Sequence, residues 1–247
     1  MEFTSFENGV VICGDCLEVM PTIAEKYVDM VLCDLPYGTT HNRWDVVLPF
    51  DALWTCYNKI IKDTAAVCLF ADGMFMANLM KSNEKMWKYN LVWNKILSSG
   101  FLNANRQPLR STEEIVVFYK KQPTYNPQKI KGEPNHSKGS LKEIKNNNYG
   151  KFNFVDNKEI LGDMKHPTSL INIQKPHPSV TTHPTQKPVE LMEWLIKTYT
   201  NEGDLVLDNC SGSGTTAIAC INTNRKFICI EKEKKYYDIS VERIKNI

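Results

Sequence analysis

Seven short runs rich in β-branched and apolar residues, at 10–13, 28–33, 65–71, 90–93, 114–119, 204–207 and 226–230, are separated by helical or turn-rich stretches. Near-continuous apolar runs of this length suit strands covered on both faces. The pattern therefore predicts an α/β fold on a mostly parallel, doubly wound sheet of seven strands. Residues 50–62 place Phe50, Leu53, Tyr57, Ile60 and Ile61 at helical spacing. A second helix opens at Pro188, which suits a first turn, and its stripe of Val189, Met192, Leu195, Ile196 and Tyr199 is core packing.

A chain of 247 residues holds one such domain with room for an insertion. From 122 to 182 the periodicity gives way to Asn, Lys, Pro and Gly, so residues 1–121 and 183–247 are predicted to form the catalytic domain and 122–182 an inserted region. Net charge is only +2, yet between Lys120 and Lys151 eight lysines face two glutamates, an excess of six positive charges suited to phosphates; a solvated lysine-rich loop is the plainer reading. No apolar run approaches the ~18 residues of a membrane span, and the N-terminus is acidic and polar, so a cytoplasmic protein without membrane contact is expected. Three of the eight cysteines (Cys33, Cys68, Cys229) sit in apolar runs as small hydrophobes. Cys13 and Cys16 have half-site spacing but lack a second pair of ligands, so no metal is expected.

Two strand ends carry chemistry. In VDMVLCDLPYG, the strand ending at Cys33 delivers Asp34, Leu35, Pro36 and Tyr37 to the carboxyl edge of the sheet, where open α/β folds bind ligands. An amino group conjugated to a heterocycle is a poor nucleophile because its lone pair is delocalised. A carboxylate at Asp34 and the backbone carbonyl of Leu35 can accept its two hydrogens and aim the lone pair at an electrophile. Pro36 holds the turn, and Tyr37 offers a ring face to a base withdrawn from a stack. A strand-ending Asp-x-Pro turn with a packing tyrosine is the structural alternative.

The second is DLVLDNCSGSGTTAIACINTNRKFICIE, a strand ending at Asp208, a Gly/Ser loop, a helix from about Thr215, and a strand ending in Glu231. Glycines let backbone approach a ligand, and a carboxylate at the second strand's end can accept both hydroxyls of a ribose. Gly212-x-Gly214-x-x-Ala217 also fits a dinucleotide fingerprint, but Asp208 and three residues intervene after the strand, which suits a cationic ligand better than a diphosphate. No Lys follows Gly214, which excludes a Walker loop.

At these residues the chain resembles the amino-directed DNA methyltransferases, which act on adenine N6 or cytosine N4. DLPY resembles their DPPY motif, DNCSGSGTT their DPFxGSGTT loop, and His183-Pro-Thr-Gln-Lys-Pro188 their HPxQKP element. The catalytic motif precedes the cofactor loop, as in the permuted β group, implying a circularly permuted Rossmann-like methyltransferase fold with one antiparallel strand near an edge and 122–182 as the target-recognition region. The resemblance implies S-adenosylmethionine as cofactor. It places Asp208, Cys210, Ser211, Gly212, Ser213, Gly214 and Thr215 along the cofactor, Glu231 on the ribose, and Asp15 with Cys16 at its adenine. Asp34, His183, Gln186 and Lys187 complete the expected cofactor site, and Phe70 is either apolar cover or core. Leu35 stands where the family has proline, and Asn209-Cys210 where it has Pro-Phe; neither change removes a needed group.

Asp at position 34 favours adenine, since the cytosine enzymes more often carry Ser there. No cysteine follows a proline, as a carbon-5 enzyme would need. Glutamine methyltransferases of the release-factor type place their xPPY motif after the cofactor loop and lack HPTQKP. An inactive DNA-binding relative would show decay of Asp34, Tyr37 or the glycine loop, and all are intact. The expected function is adenine-N6 methylation of duplex DNA, cytosine-N4 being the alternative, with a homodimer and a cognate restriction endonuclease as further candidate partners.

Overall fold

All seven expected runs are strands of one sheet, and two further strands join them. The computed structural model describes residues 2–40, 42–133, 163–176 and 186–247. In chain order the elements are β1 (Glu2–Phe6), β2 (Gly9–Cys13), α1 (Cys16–Val19), β3 (Val28–Cys33), α2 (Phe50–Ile60), β4 (Ile61–Ala71), α3 (Gly73–Ser82), β5 (Trp87–Ser99), β6 (Arg110–Phe118), β7 (Ile130–Lys131), β8 (Met164–Lys165), β9 (Leu170–Asn172), α4 (Val189–Tyr199), β10 (Leu205–Asp208), α5 (Thr215–Asn222), β11 (Lys226–Glu231) and α6 (Lys234–Lys245). The sheet order is β1-β2-β11-β10-β3-β4-β6-β5-β9.

Strands β2, β11, β10, β3 and β4 are mutually parallel. Crossovers diverge from the β10–β3 pair, since β10 passes through α5 to β11 on one side while β3 passes through α2 to β4 on the other. That divergence opens a crevice at the carboxyl ends of β10 and β3. Strand β6 is antiparallel to both β4 and β5. Its amino-terminal end therefore reaches the edge at which the parallel strands finish, where Ala71 faces Glu114.

The added strands lie outside the apolar runs. β1 is a half-polar ribbon, EFTSF, paired antiparallel to β2, and β9 is three residues long and pairs parallel to β5. Both faces of the sheet are covered. In β4, Ala66, Cys68 and Phe70 face the core beneath α4, α5 and α6, while Ala65, Val67, Leu69 and Ala71 face the core beneath α1, α2 and α3. Helix α2 ends at Ile60, and Ile61 already belongs to β4. All eight cysteines are free thiols.

The chain divides into two units, Met1–Asn126 with Ser169–Ile247, and Pro127–Thr168. The polar stretch 122–182 is wider than the second unit because β9 returns to the sheet. In that unit β7 and β8 form a two-residue antiparallel ladder, and Lys131 pairs with Asp163 at 3.5 Å.

Gly9 sets the spacing of β2 against β11. It lies opposite Phe227, and a Cβ at this position would overlap the Phe227 carbonyl oxygen and ring. Gly9→Ala must push the two strands apart, an overpacking change costing about 1–3 kcal/mol. Urea denaturation should show a lower midpoint at unchanged slope; an unshifted midpoint would show that the strands separate freely.

Candidate active site

The carboxyl edge gathers the expected residues around a cavity of about 1000 Å³. Asp15, Cys16, Asp34, Leu35, Pro36, Tyr37, Gln186, Lys187, Asp208, Cys210, Ser211, Gly212, Ser213, Thr215 and Glu231 all line it. Gly214 does not line the cavity but turns the loop into α5 with φ of 77°, and a Cβ there would run into Ser240. His183 lies outside the described residues.

At the end of β3, Asp34 accepts from the Lys187 ammonium on Oδ2 at 2.7 Å and from the Tyr37 hydroxyl on Oδ1 at 3.1 Å. Lys187 also pairs with Glu113 Oε1 at 2.9 Å, and Tyr37 is 2.9 Å from the same oxygen, so one phenolic proton serves two carboxylates. Lys95 closes the group, 3.3 Å from Glu113 Oε2. Two carboxylates and two ammoniums thus form a neutral, mostly buried cluster. Burial pushes the Asp34 carboxyl up, with Lys187 opposing. For Glu113 the charges of Lys187 and Lys95 outweigh burial and hold its pKa down. Burial alone would lower the Lys187 pKa, but Asp34 and Glu113 override it and raise it.

The Tyr37 ring stacks on Phe75, with centroids 4.8 Å apart and planes inclined by 25°. Leu35 is buried among the residues beneath α2, so the side chain replacing a proline has become core. Phe70 is wholly buried, and Lys187 lies 4.8 Å above its ring.

Across the crevice, Asp208 ends β10. It accepts from Thr216 Oγ1 at 2.5 Å and from the Cys210 amide at 3.2 Å, and burial raises its pKa to about 6. Glu231 ends β11, and its carboxylate accepts from the amides of Gly212 (2.7 Å) and Glu233 (2.8 Å); burial raises it to about 7. Asp15 caps α1 by accepting from the Leu17 amide at 2.9 Å and pairs with Lys232 at 2.9 Å. Ser213 donates to Gln186 Oε1 at 3.4 Å, and Arg243 donates to the Ser213 carbonyl and hydroxyl, fixing the loop. Beneath it, buried Tyr57 donates to Asn209 Oδ1 at 2.5 Å.

A family model described as DNA methylase matches residues 28–242. The chain belongs to the DNA methylase family. Among relatives, the type II methyltransferase M.HpaI of Haemophilus parainfluenzae is 26% identical over 95% of this chain and 73% of its own. The DNA adenine methyltransferase YhdJ of Escherichia coli is 26% identical over 96% of this chain and 83% of its own. The fold is shared with the M1.HpyAVI–SAM complex (TM-score 0.62, 23% identity, 94% and 98% covered) and with the cytosine-N4-specific PvuII DNA methyltransferase (TM-score 0.70, 17% identity, 97% and 87% covered).

Lys187 of this methylase, expected at the cofactor site, lines the cavity, and its ammonium lies on Asp34. Glu113 and Lys95 are residues that sequence reasoning missed. Glu113 precedes an apolar run instead of ending one, and it reaches the active edge only because β6 is antiparallel.

Lys187 is what permits two buried carboxylates to sit together. Lys187→Met should destabilise the methylase by about 3–5 kcal/mol at about pH 8, because two charges lose their shared partner. Asp34 then has no ammonium partner and Glu113 keeps only Lys95, so both carboxyls rise in the folded state, and such groups penalise folding least when protonated. The deficit should accordingly shrink toward about pH 5. Urea denaturation at both pH values measures this; a deficit independent of pH would count against the charge cluster.

Proposed function

We propose that this methylase transfers the methyl group of S-adenosylmethionine to the N6 amino group of adenine at a specific sequence in duplex DNA. The observation that carries the reading is Asp34 at the end of β3, fixed by Lys187 and Tyr37 at a cavity whose other wall is the glycine loop.

The cofactor fits the donor set. Asp208 and Glu231 are buried carboxylates with no cationic side-chain partner among the described residues, and burial raises both. A ligand with a positive sulfonium and a ribose diol matches them, and the glycine loop lets it approach backbone. S-adenosylmethionine, when bound, supplies an electrophilic methyl. Asp34 and the Leu35 carbonyl accept the two amino hydrogens and localise the lone pair. Tyr37, backed by Phe75, gives the withdrawn base its stacking face. After transfer the nitrogen must shed a proton, and burial fits Asp34 to hold it.

Adenine is favoured by the carboxylate at position 34 and by the name of the relative YhdJ. Residues 122–182, with their lysines, are the proposed target-recognition region; Lys129 and Lys131 are exposed, whereas Lys138 and Lys142 lie outside the described residues. A restriction endonuclease of the same specificity is the partner suggested by relatives named type II methyltransferases, and a homodimer is the proposed assembly. Among the described residues no helix is long and apolar enough to cross a membrane.

Asp34→Ala tests the catalytic role. Methyl transfer should fall by about 10²–10³-fold, the usual loss on removing one preorganised electrostatic partner, while cofactor affinity largely survives. Single-turnover assays with tritiated cofactor on unmethylated genomic DNA, followed by digestion to nucleosides, read rate and base together. A near wild-type rate would make DLPY a turn only, and label in N4-methylcytosine would move the target to cytosine.

Glu231 supplies a pH test. Its carboxyl, up to about 7 in the ligand-free protein, is protonated below that value, so its contribution to folding stability is lost as pH rises through about 7. Ionised Glu231 accepts ribose hydroxyls as charge-assisted bonds. Cofactor affinity should therefore rise from about pH 6 to about pH 8, with protons released on binding below the midpoint. Calorimetry in two buffers measures both, and Glu231→Gln should flatten the profile; an equal slope in the variant would assign the titration elsewhere.

A further inference from the structure

The β5–β6 hairpin carries an apolar tip that the catalytic reading does not use. Phe101 is 70% exposed and Leu102 fully exposed, with Ile96 and Leu97 also open to solvent. Exposed apolar residues grouped on one segment mark contact surfaces. The hairpin is built, not frayed. From Asn94 to Ser99, β5 advances five residues while β6 advances two, from Thr112 to Arg110, and the resulting bulge turns Lys95 inward to Glu113 while Ile96 and Leu97 face out. Ile96 sits at φ of 61°, a left-handed conformation that a β-branched residue adopts only under constraint. Ser98 and Ser111 hydroxyls bond at 2.9 Å across the stem, and Lys175 donates to the Ser98 carbonyl at 3.2 Å.

Place and charge indicate the occupant. The stem residues Trp93, Lys95, Ser99, Arg110 and Glu113 line the cavity that holds Asp34 and Tyr37. Residues 85–112 contain five Lys and Arg and no Asp or Glu. Arg110 pairs with Asp72 at 3.2 Å, and Arg106 is exposed. A segment so charged suits a polyanion and opposes a copy of itself across a twofold axis.

We propose that this hairpin tip enters duplex DNA beside the target base, Phe101 and Leu102 filling the gap that the withdrawn base leaves while Arg106 meets the flanking phosphates. The inference rests on the function proposed above. An apolar wedge stabilises an opened step by replacing lost stacking, and a base must leave its stack before Asp34 and Tyr37 can reach it.

The test uses the full chain and a duplex carrying its methylation site, mapped by modification-sensitive sequencing of DNA from expressing cells. Phe101→Ser with Leu102→Ser, and Leu102→Ser alone as a variant too exposed to disturb folding, are compared with wild type in single-turnover methylation and sedimentation. The double variant should methylate the paired duplex at least about 10-fold more slowly, with a smaller effect for the single one. Most of the rate should return on a duplex abasic opposite the target, where no partner base resists withdrawal. Wild-type rates on the paired duplex overturn the proposal, as does an equal loss on both duplexes. A wild-type dimer that the substitutions convert to an inactive monomer makes the patch an interface between copies and overturns it too. A wild type that methylates neither duplex nor genomic DNA refutes the functional reading itself, an outcome distinct from a wild-type rate in the variants.

Discussion

Lys187 holds the active edge together. Its ammonium joins the end of β3, through Asp34, to the start of β6, through Glu113, and its side chain and those of its two partners are 9, 24 and 11% exposed. Desolvating these charges is costly, and buried ion pairs of this kind often add no net stability over apolar residues of the same volume. The cluster presents a carboxylate beside a cavity without presenting net charge, because Lys95 balances Glu113 as Lys187 balances Asp34. A neutral surround leaves the oxygen atoms of Asp34 free of a strongly negative local field.

The opposite wall follows a different electrostatic rule. Asp208 and Glu231 are buried without a cationic side-chain partner among the described residues, and burial raises them to about 6 and about 7. Backbone amides, the Thr216 hydroxyl and the Cys33 thiol donate to them and favour the ionised form, but burial outweighs these bonds. A positively charged ligand would supply the missing counter-charge. The crevice thus separates a compensated carboxylate on β3 from two uncompensated ones on β10 and β11, and the divergence of crossovers at the β10–β3 pair creates the gap between them.

How much of this was legible in the sequence depended on strand direction. The seven apolar runs announced their strands, and rules about carboxyl ends found Asp34, Asp208 and Glu231 because all three end parallel strands. Glu113 obeys the mirror rule. It sits at the beginning of an antiparallel strand, and nothing in EEIVVF reveals direction before the sheet is assembled. Lys187 was legible as part of a motif but not in its partner, because Asp34 lies 153 residues away. The strands β1 and β9 were hidden for another reason: one is half polar and the other only three residues long, so edge pairing, and not burial, defines them.

The antiparallel β6 also explains why a hairpin, and not a helix, stands beside Asp34. Parallel strands need a crossover that buries their connection against a face of the sheet, whereas an antiparallel pair can be joined at the edge itself. Reversing β6 therefore places the β5–β6 connection at the carboxyl edge, level with Asp34 and free to project from it. The same reversal delivers Glu113 to Lys187 and carries Lys95 in from β5. One change of strand direction thus supplies both the inward group that shares Lys187 with Asp34 and the outward tip with Phe101 and Leu102. A bulge between Asn94 and Ser99 is the local device that lets adjacent residues serve opposite purposes, Lys95 toward the cluster and Ile96 toward solvent.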